Sequence, residues 1–334
     1  TAEREMLEQA AAAGAEKERP GGGLSLVRKP GLVLTNPDKV YWSEEGYTKG
    51  MLLRYYEAAA PQLLRFLRDR PIVLVRYPDG IDGKNFYQWR APDGTPDWLR
   101  TLELYDEEKQ EERGTGKAAF LVDDVDSLLY VINLGCIPIH VLAYREHSKK
   151  TCDFLTIDLD LGPCAFREAV LLALDLKQIL DELGLVGFPK TSGQRGLHVL
   201  VPLGDAFVFD AAKILCELLG RLLVQRHPEI ATMERRKEHR GERVYVDTGQ
   251  TGQSRTIVSP YSVRATRGAG VSTPLSWSEV HLALDPSVFT METVPDRLAT
   301  LGDVWSDFFQ VRPDPKQLQA NLANWTGRLK PPSS

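Results

Sequence analysis

The chain lacks any long apolar run. No stretch approaches the ~18 residues that span a bilayer, so no membrane partner is expected. Its first residues are acidic and Ala-rich, not a basic segment followed by an apolar core, so no secretion signal is expected. Cysteine is scarce. Cys136, Cys152, Cys164 and Cys216 form no CxxC pair, and no His stands at finger spacing. That argues against a structural zinc site and for buried thiols in a reducing cytoplasm. An excess of positive charge is also missing, since 41 basic residues face 46 acidic ones for a net −5. This excludes a histone-like general nucleic-acid binder and leaves room for a local basic groove. There is no repeat at solenoid spacing and no GxxxxGK[ST] phosphate loop.

What is present is ordinary globular composition, 43% hydrophobic and 26% charged, in a 334-residue chain long enough to bury a large core. Thr1 to Glu18 reads as a charged helix, ended by Arg19-Pro20-Gly21-Gly22-Gly23 as a linker. Helices are expected over Met51–Leu67, Val125–Leu134, Arg167–Leu183 and Ala211–Gln225, with short helices over Ser276–Trp325. Strands are expected at Ile72–Tyr77, Phe120–Val122, Phe154–Leu159, Leu197–Val201, Val244–Val246 and Thr256–Val258. Tyr105 to Gly116 reads as a polar loop. Loose alternation of strands and helices gives an α/β chain of the α+β kind.

The strongest local signal is Phe154-Leu155-Thr156-Ile157-Asp158-Leu159-Asp160. Strand side chains alternate, so Leu155, Ile157 and Leu159 face a core while Thr156, Asp158 and Asp160 face the other way. Two carboxylates on one face repel unless a cation stands between them, and hard oxygens suit Mg²⁺ or Mn²⁺. A bare pair of this kind is otherwise two solvated acids at a strand end. Asp247 ends another apolar strand and is a third carboxylate. Between them lies Lys190-Thr-Ser192-Gly-Gln-Arg195-Gly-Leu-His198, a Gly-broken turn whose N–H groups and cations suit a polyphosphate.

These motifs resemble the archaeo-eukaryotic primase superfamily, and more closely the polymerase domain of bacterial DNA ligase D. Further blocks of the resemblance are Leu34-Thr-Asn-Pro-Asp-Lys39-Val40 with Tyr47-Thr-Lys49, and Arg76-Tyr-Pro-Asp-Gly-Ile-Asp-Gly-Lys-Asn-Phe86-Tyr87-Gln88. Pro260-Tyr-Ser-Val-Arg264, running on to Val271–Trp277, is another. They stand in the family's order from about residue 30 to about 310. The resemblance implies an extension and linker over 1–30, a primase-polymerase catalytic domain over 31–310, and a C-terminal helix and tail over 311–334. It implies a core of two small β-sheets flanked by helices, with the active site between them. The implied chemistry is template-dependent addition of nucleotides, ribonucleotides above all, to a primer 3′-hydroxyl at DNA gaps and breaks, by two-metal phosphoryl transfer with Mn²⁺ or Mg²⁺.

The resemblance also implies roles. Asp158, Asp160 and Asp247 match the metal-binding carboxylates. His140, Ser192, Arg195 and Arg240 match positions that hold the triphosphate, and Gln250 and Arg264 lie in the same pocket motifs. His198 faces the cleft, either touching phosphate or supporting an Asp. Phe86 and Tyr87 match an aromatic pair at template and incoming base, and Lys39 and Lys49 match the grip on a downstream 5′-phosphate. The expected partners are gapped template-primer DNA and nucleoside triphosphates, with a separate DNA ligase and end-binding proteins as companions.

Some positions depart from the pattern. Arg195 stands where the family usually has Lys, and Trp89 where Lys usually follows the aromatic pair and Gln. Plainer readings stand beside each site residue. His140 suits a satisfied core histidine, Lys39 and Lys49 suit solvated lysines, and Glu234–Arg240 suits a solvated helix end. A basic loop of Arg145, His147, Lys149 and Lys150 is a further candidate for DNA backbone contact. Two other functions fit less closely: a primase that starts chains without a primer, and a non-catalytic protein that binds DNA ends. The second has no need to concentrate three carboxylates near DNA.

Overall fold

The computed structural model describes residues 28–106, 111–112 and 118–326. The helix and glycine linker expected over 1–23 lie outside these residues. So do 107–110 and 113–117 of the loop expected over 105–116, and the last part of the tail.

In chain order the first strands are β1 (Val40–Trp42), β2 (Tyr47–Thr48), β3 (Pro71–Arg76), β4 (Phe86–Gln88), β5 (Thr101–Leu102), β6 (Tyr105–Asp106), β7 (Glu111–Glu112) and β8 (Ala119–Leu121). The others are β9 (Cys136–Leu142), β10 (Phe154–Asp160), β11 (Phe188–Thr191), β12 (Leu197–Pro202), β13 (Ala231–Thr232), β14 (Val244–Asp247) and β15 (Thr256–Val258). The helices are α1 (Lys49–Leu67), α2 (Val125–Asn133), α3 (Phe166–Leu183), α4 (Phe209–Arg226), α5 (Val294–Leu301) and α6 (Pro315–Thr326). Two sheets dominate. One has five strands in the order β11-β12-β10-β14-β13, and the other six, β15-β9-β3-β8-β5 with β4 beside β3. Within the stretch expected as a loop, β6 and β7 form an antiparallel ladder. β4, β9 and β11, for which the sequence carries weaker alternation, complete the sheets.

Local chemistry explains the helices. α1 starts where the Thr48 hydroxyl accepts the Met51 N–H, and α2 where the Asp124 carboxylate accepts the Ser127 N–H at 2.8 Å. α1 buries Leu52, Leu53, Tyr56, Leu63 and Leu67 against α2 and β9. α3 and α4 cover the apolar face of β10, where Leu155, Ile157 and Leu159 are fully buried. That leaves Asp158 and Asp160 on the open face. All four cysteines are free and buried. Among the described residues no helix is long and apolar enough to cross a membrane.

Two devices tie the sheets together. Trp305 and Phe308 stack at 5.3 Å and touch both Phe66 of α1 and Phe188 of β11. Arg70, fully buried before β3, donates to the Phe66 and Leu142 carbonyls and pairs with Asp153 at the entry to β10. Burial alone would push the Asp153 carboxyl up, but Arg70 and Arg145 outweigh it and hold it below the usual range. Arg145 also donates to the Arg68 carbonyl and stacks over Phe309, so this member of the basic loop is committed to the framework.

Breaking a buried pair on one side leaves an uncompensated charge. Asp153→Ala is therefore expected to cost about 3–5 kcal/mol of unfolding free energy in urea denaturation at pH 7. A depressed carboxyl pKa contributes stability above its unfolded value, about 3.9, and loses it as pH falls through the folded value. The gap between wild type and variant should shrink in acid.

Candidate active site

A cavity of about 790 Å³ opens between the two sheets. The five-stranded sheet supplies Asp158, Asp160 and His198, and the turn from Ser192 to Gly196 forms a rim. Across from them the six-stranded sheet contributes His140, Thr256 and Val258, with Tyr87 from β4. Arg264, Gln250 and the loop carrying Thr266, Arg267 and Gly268 close the sides.

The register of the antiparallel strands sets the centre. Asp158 pairs with His198 on one side and with Asp247 on the other, and Asp160 pairs with Tyr245. Cross-strand partners share a face, so the three carboxylates lie on the cavity side of the sheet. Burial raises the Asp158 carboxyl to about 7, helped by Asp160 and Asp247, while Lys190 and Arg264 oppose the rise. Asp247 is in register, but its carboxylate is turned. It accepts from the Gly249 N–H at 2.8 Å and from Gln250 Nε2 at 3.0 Å, and it lines a smaller neighbouring cavity. Among the described residues no group of three or more His, Cys, Asp and Glu is gathered as a ready cation site. Even so, hard carboxylate oxygens gathered on one face fit a divalent cation.

The turn is shaped by glycine at two positions. Gly193 has φ +73°, and a Cβ there would stand 2.7 Å from the Ser272 nitrogen. A Cβ on Gly196 would stand 2.4 Å from the Leu159 carbonyl oxygen, so only Gly lets the turn lie against β10. The Ser192 hydroxyl accepts from the Gln194 and Gly196 N–H groups, which ties the loop and leaves its own proton for a ligand. Arg195 is exposed beside it and donates to the Gly162 carbonyl at 2.9 Å.

Other residues singled out from sequence take different places. Arg240 does not line the large cavity. It lies over the Tyr245 ring at 3.5 Å, with Nη1 3.8 Å from Asp160 Oδ2. Phe86 and Tyr87 alternate faces on an exposed strand. Tyr87 meets His140 edge-on at 6.0 Å, whereas Phe86 packs under Arg76 at 5.1 Å, away from the cavity. Lys39 is exposed and paired with Asp79 at 2.7 Å, while Lys49 is buried and donates to the Thr35 carbonyl at 2.8 Å. Burial and the neighbouring Lys39 lower Lys49 to about 8.

Sequence reasoning missed Lys190. It is fully buried, with Nζ 2.8 Å from His198 Nδ1 and 2.6 Å from Ser272 Oγ. With Lys190 charged it can only donate, so Nδ1 accepts and the His198 ring proton sits on Nε2, 3.4 Å from Asp158 Oδ1. Burial, with Arg264 beside it, holds Lys190 well below its usual value. Burial followed by Arg264 and Lys190 holds His140 down to about 3, so His140 is a neutral ring near neutral pH. The signal was a lysine among the apolar residues Phe188 and Pro189. Its meaning depended on the β11–β12 register, which places it opposite His198.

Comparison with known proteins gives one family. The family model described as LigD, primase-polymerase domain, matches residues 48–305. A Bacillus subtilis protein named bifunctional non-homologous end joining protein LigD is 30% identical over 297 residues, covering 88% of this chain and 46% of that protein. The Mycobacterium tuberculosis multifunctional non-homologous end joining DNA repair protein LigD is 28% identical over 285 residues, covering 82% of this chain and 36% of that protein. The chain therefore spans less than half the length of these relatives. A solved structure described as the polymerase domain from Mycobacterium tuberculosis ligase D in complex with DNA superposes with a TM-score of 0.76 at 27% identity. It covers 84% of this chain and 99% of that one.

The raised Asp158 carboxyl has a stability consequence. Its unfolded value is about 3.9, so the folded state is penalised as pH rises from there, fully above about 7. Asp158→Asn is expected to raise Tm by about 2–4 °C at pH 8 in chelator, and added Mn²⁺ is expected to raise the Tm of the wild type and not that of the variant. Thermal melts with and without Mn²⁺ check both.

Proposed function

Because the chain belongs to the LigD primase-polymerase domain family, we propose that it extends a primer 3′-hydroxyl on a DNA template, at gaps or breaks, in non-homologous end joining. The family is one of DNA-directed nucleotidyltransferases, and the chain is an enzyme of that class. The observation that carries the finer reading is the cavity's divided charge: carboxylates on its floor, guanidinium and imidazole groups on its walls. A metal–nucleotide complex needs both halves.

Asp158, Asp160 and Asp247 would hold two divalent ions, Mg²⁺ or Mn²⁺. When bound, these supply charge neutralisation at the reacting phosphate and lower the pKa of the attacking hydroxyl. The rest of the work falls to the chain's own side chains. Arg195 at the rim and Arg264 deeper in the cavity bind triphosphate oxygens, Arg's planar fork holding two at once. Ser192 offers its hydroxyl proton. Neutral His140 and His198 orient rather than carry charge, with His198 fixed on Asp158 through Lys190. Arg240 holds Asp160 from outside the cavity. Tyr87, exposed at the mouth, offers a face for a base to stack on. Phe86 lies on the other side of β4, where an unpaired template base could reach it. Lys39 and Lys49 stand side by side, and a downstream 5′-phosphate would relieve their mutual repulsion, Lys39 leaving Asp79 to reach it. The catalytic unit is residues 31–310, and its preferred substrates are ribonucleotides.

The test is primer extension with each nucleotide class on gapped and unprimed templates. Asp158→Ala is expected to abolish incorporation while DNA affinity persists. Arg195→Ala should raise the half-saturating nucleotide concentration roughly tenfold or more, and Arg195→Lys should recover much of the loss. Extension by Asp158→Ala, or an unchanged nucleotide requirement in Arg195→Ala, would refute the assignments. Removing the 5′-phosphate from gapped DNA should weaken binding at fixed salt.

A further inference from the structure

Lys49 is only 4% exposed, and no carboxylate answers its charge among the described residues. Its Nζ donates to neutral oxygens, the Thr35 carbonyl at 2.8 Å and the Thr35 hydroxyl at 3.4 Å. The charge that acts on it is a like one, from Lys39, whose own carbonyl accepts the Lys49 N–H at 2.8 Å. Buried charges are ordinarily paired. This one is surrounded by two dipoles and a second cation, an arrangement that suits an incoming anion.

Both oxygens belong to a strap, residues 28–35, that lies before the stretch matched by the family model. The strap forms no helix or strand, so its tethers define its path. At its start Arg28 pairs with Glu57 of α1 and Asp126 of α2, and Lys29 pairs with Asp124 and lies over Trp98. Trp98 Nε1 donates to the Pro30 carbonyl at 3.0 Å. At its end one side chain holds it, that of Asn133, the last residue of α2. Asn133 Oδ1 accepts the Thr35 N–H at 2.9 Å, and its Nδ2 donates to the Val33 carbonyl at 2.9 Å. Backbone groups outside a ladder need partners, and this amide supplies one of each kind. Leu32 and Leu34 pack inward while Val33 and Thr35 are exposed. Hydrogen bonding therefore sets the direction of the Thr35 carbonyl. Asn133 itself lines neither cavity.

We propose that Asn133 is a positioning residue for the Lys49 ammonium. Through Val33 and Thr35 it fixes the strap that keeps this ammonium beside Lys39, so the grip on a downstream 5′-phosphate depends on a side chain that touches no DNA. The inference rests on the reading of Lys39 and Lys49 given above. Without the Asn133 amide the Thr35 carbonyl is free to turn, and Lys49 loses the acceptor that holds it at one place. The cation remains, but its position does not, and a phosphate must then order it on binding.

The experiment titrates gapped DNA with and without the downstream 5′-phosphate by fluorescence anisotropy at fixed salt. The proteins are wild type, Asn133→Ala, Lys49→Ala and the double variant. Asn133→Ala should reduce the preference for the phosphate roughly tenfold, the loss of one charge-assisted contact, and leave affinity for the 5′-hydroxyl DNA unchanged. The double variant should lose no more preference than Lys49→Ala alone, because Asn133 acts through that ammonium. A general loosening of the fold would add a loss of its own. A second readout needs no DNA. Acetylation of Lys49 by an N-hydroxysuccinimide ester, followed by peptide mass spectrometry, should run severalfold faster in Asn133→Ala, with exposed Lys39 unchanged. If wild type shows no phosphate preference, the gap reading fails, and faster acetylation of Lys49 still supports the hold on the ammonium. An unchanged acetylation rate at Lys49 overturns the proposal. So does an unchanged phosphate preference in Asn133→Ala where wild type has one, or losses that add in the double variant.

Discussion

The burial of a carboxylate among other carboxylates is the constraint from which the rest of the site follows. Asp158 is only 18% exposed and stands between Asp160 on its own strand and Asp247 on the next, and burial first, the two acids second, drive its carboxyl to about 7. A sheet with no other task would not place three acids on one face. The surrounding cations answer this strain in layers. Lys190 and Arg264 act on Asp158 from within, and Arg240 reaches Asp160 from outside. Gln250 and the Gly249 N–H occupy Asp247. Each contact offsets part of the charge, and the remainder is what a divalent cation would neutralise.

That arrangement needs two sheets held in fixed relation, because the acids belong to one and much of the facing wall to the other. The framework does this with few residues. Arg70 is bonded at once to α1, to the end of β9 and to the entry of β10. Burial lowers Arg70 to about 10, and Asp153 opposes the drop, so it stays charged at neutral pH. Around it, Phe66, Phe188, Trp305 and Phe308 pack mostly edge to face, a geometry that carries orientation as well as buried area. The residues after α5 are therefore part of what closes the core, and Trp305 and Phe308 are both fully buried.

Much of this was legible in the sequence, for physical reasons. Long helices announce themselves by period, and β10 by strict alternation, which puts Asp158 and Asp160 together on the face away from the core. The turn from Ser192 to Gly196 was legible because glycine has few reasons to recur there. Register was not legible. It decides that Asp158 lies opposite both Asp247 and His198, and that Lys190 meets His198. Side-chain direction at strand ends was also hidden, so Asp247 and Arg240 sit at the edge of the large cavity rather than within it. Short strands such as β4 escape periodicity because three residues cannot show it. Yet that strand sends Tyr87 to the cavity and Phe86 away from it.

The cations divide by depth, and the division separates holding a structure from holding a ligand. Lys190 and His198 are buried, and each is bonded inside the protein, so neither can follow a substrate. Burial weakens their charge, which makes them poor counter-ions for a polyphosphate, while Lys190 holds the His198 ring that faces Asp158. Arg195, Arg221 and Arg235 are exposed, and among the described residues none has an acidic partner. Exposed guanidiniums keep their charge and pay little desolvation until a ligand arrives. Arg195 stands at the rim of the large cavity, and the other two line the small one. A cavity that takes a polyphosphate together with its cation would need this distribution, negative charge where the cation would sit and free positive charge at the rim.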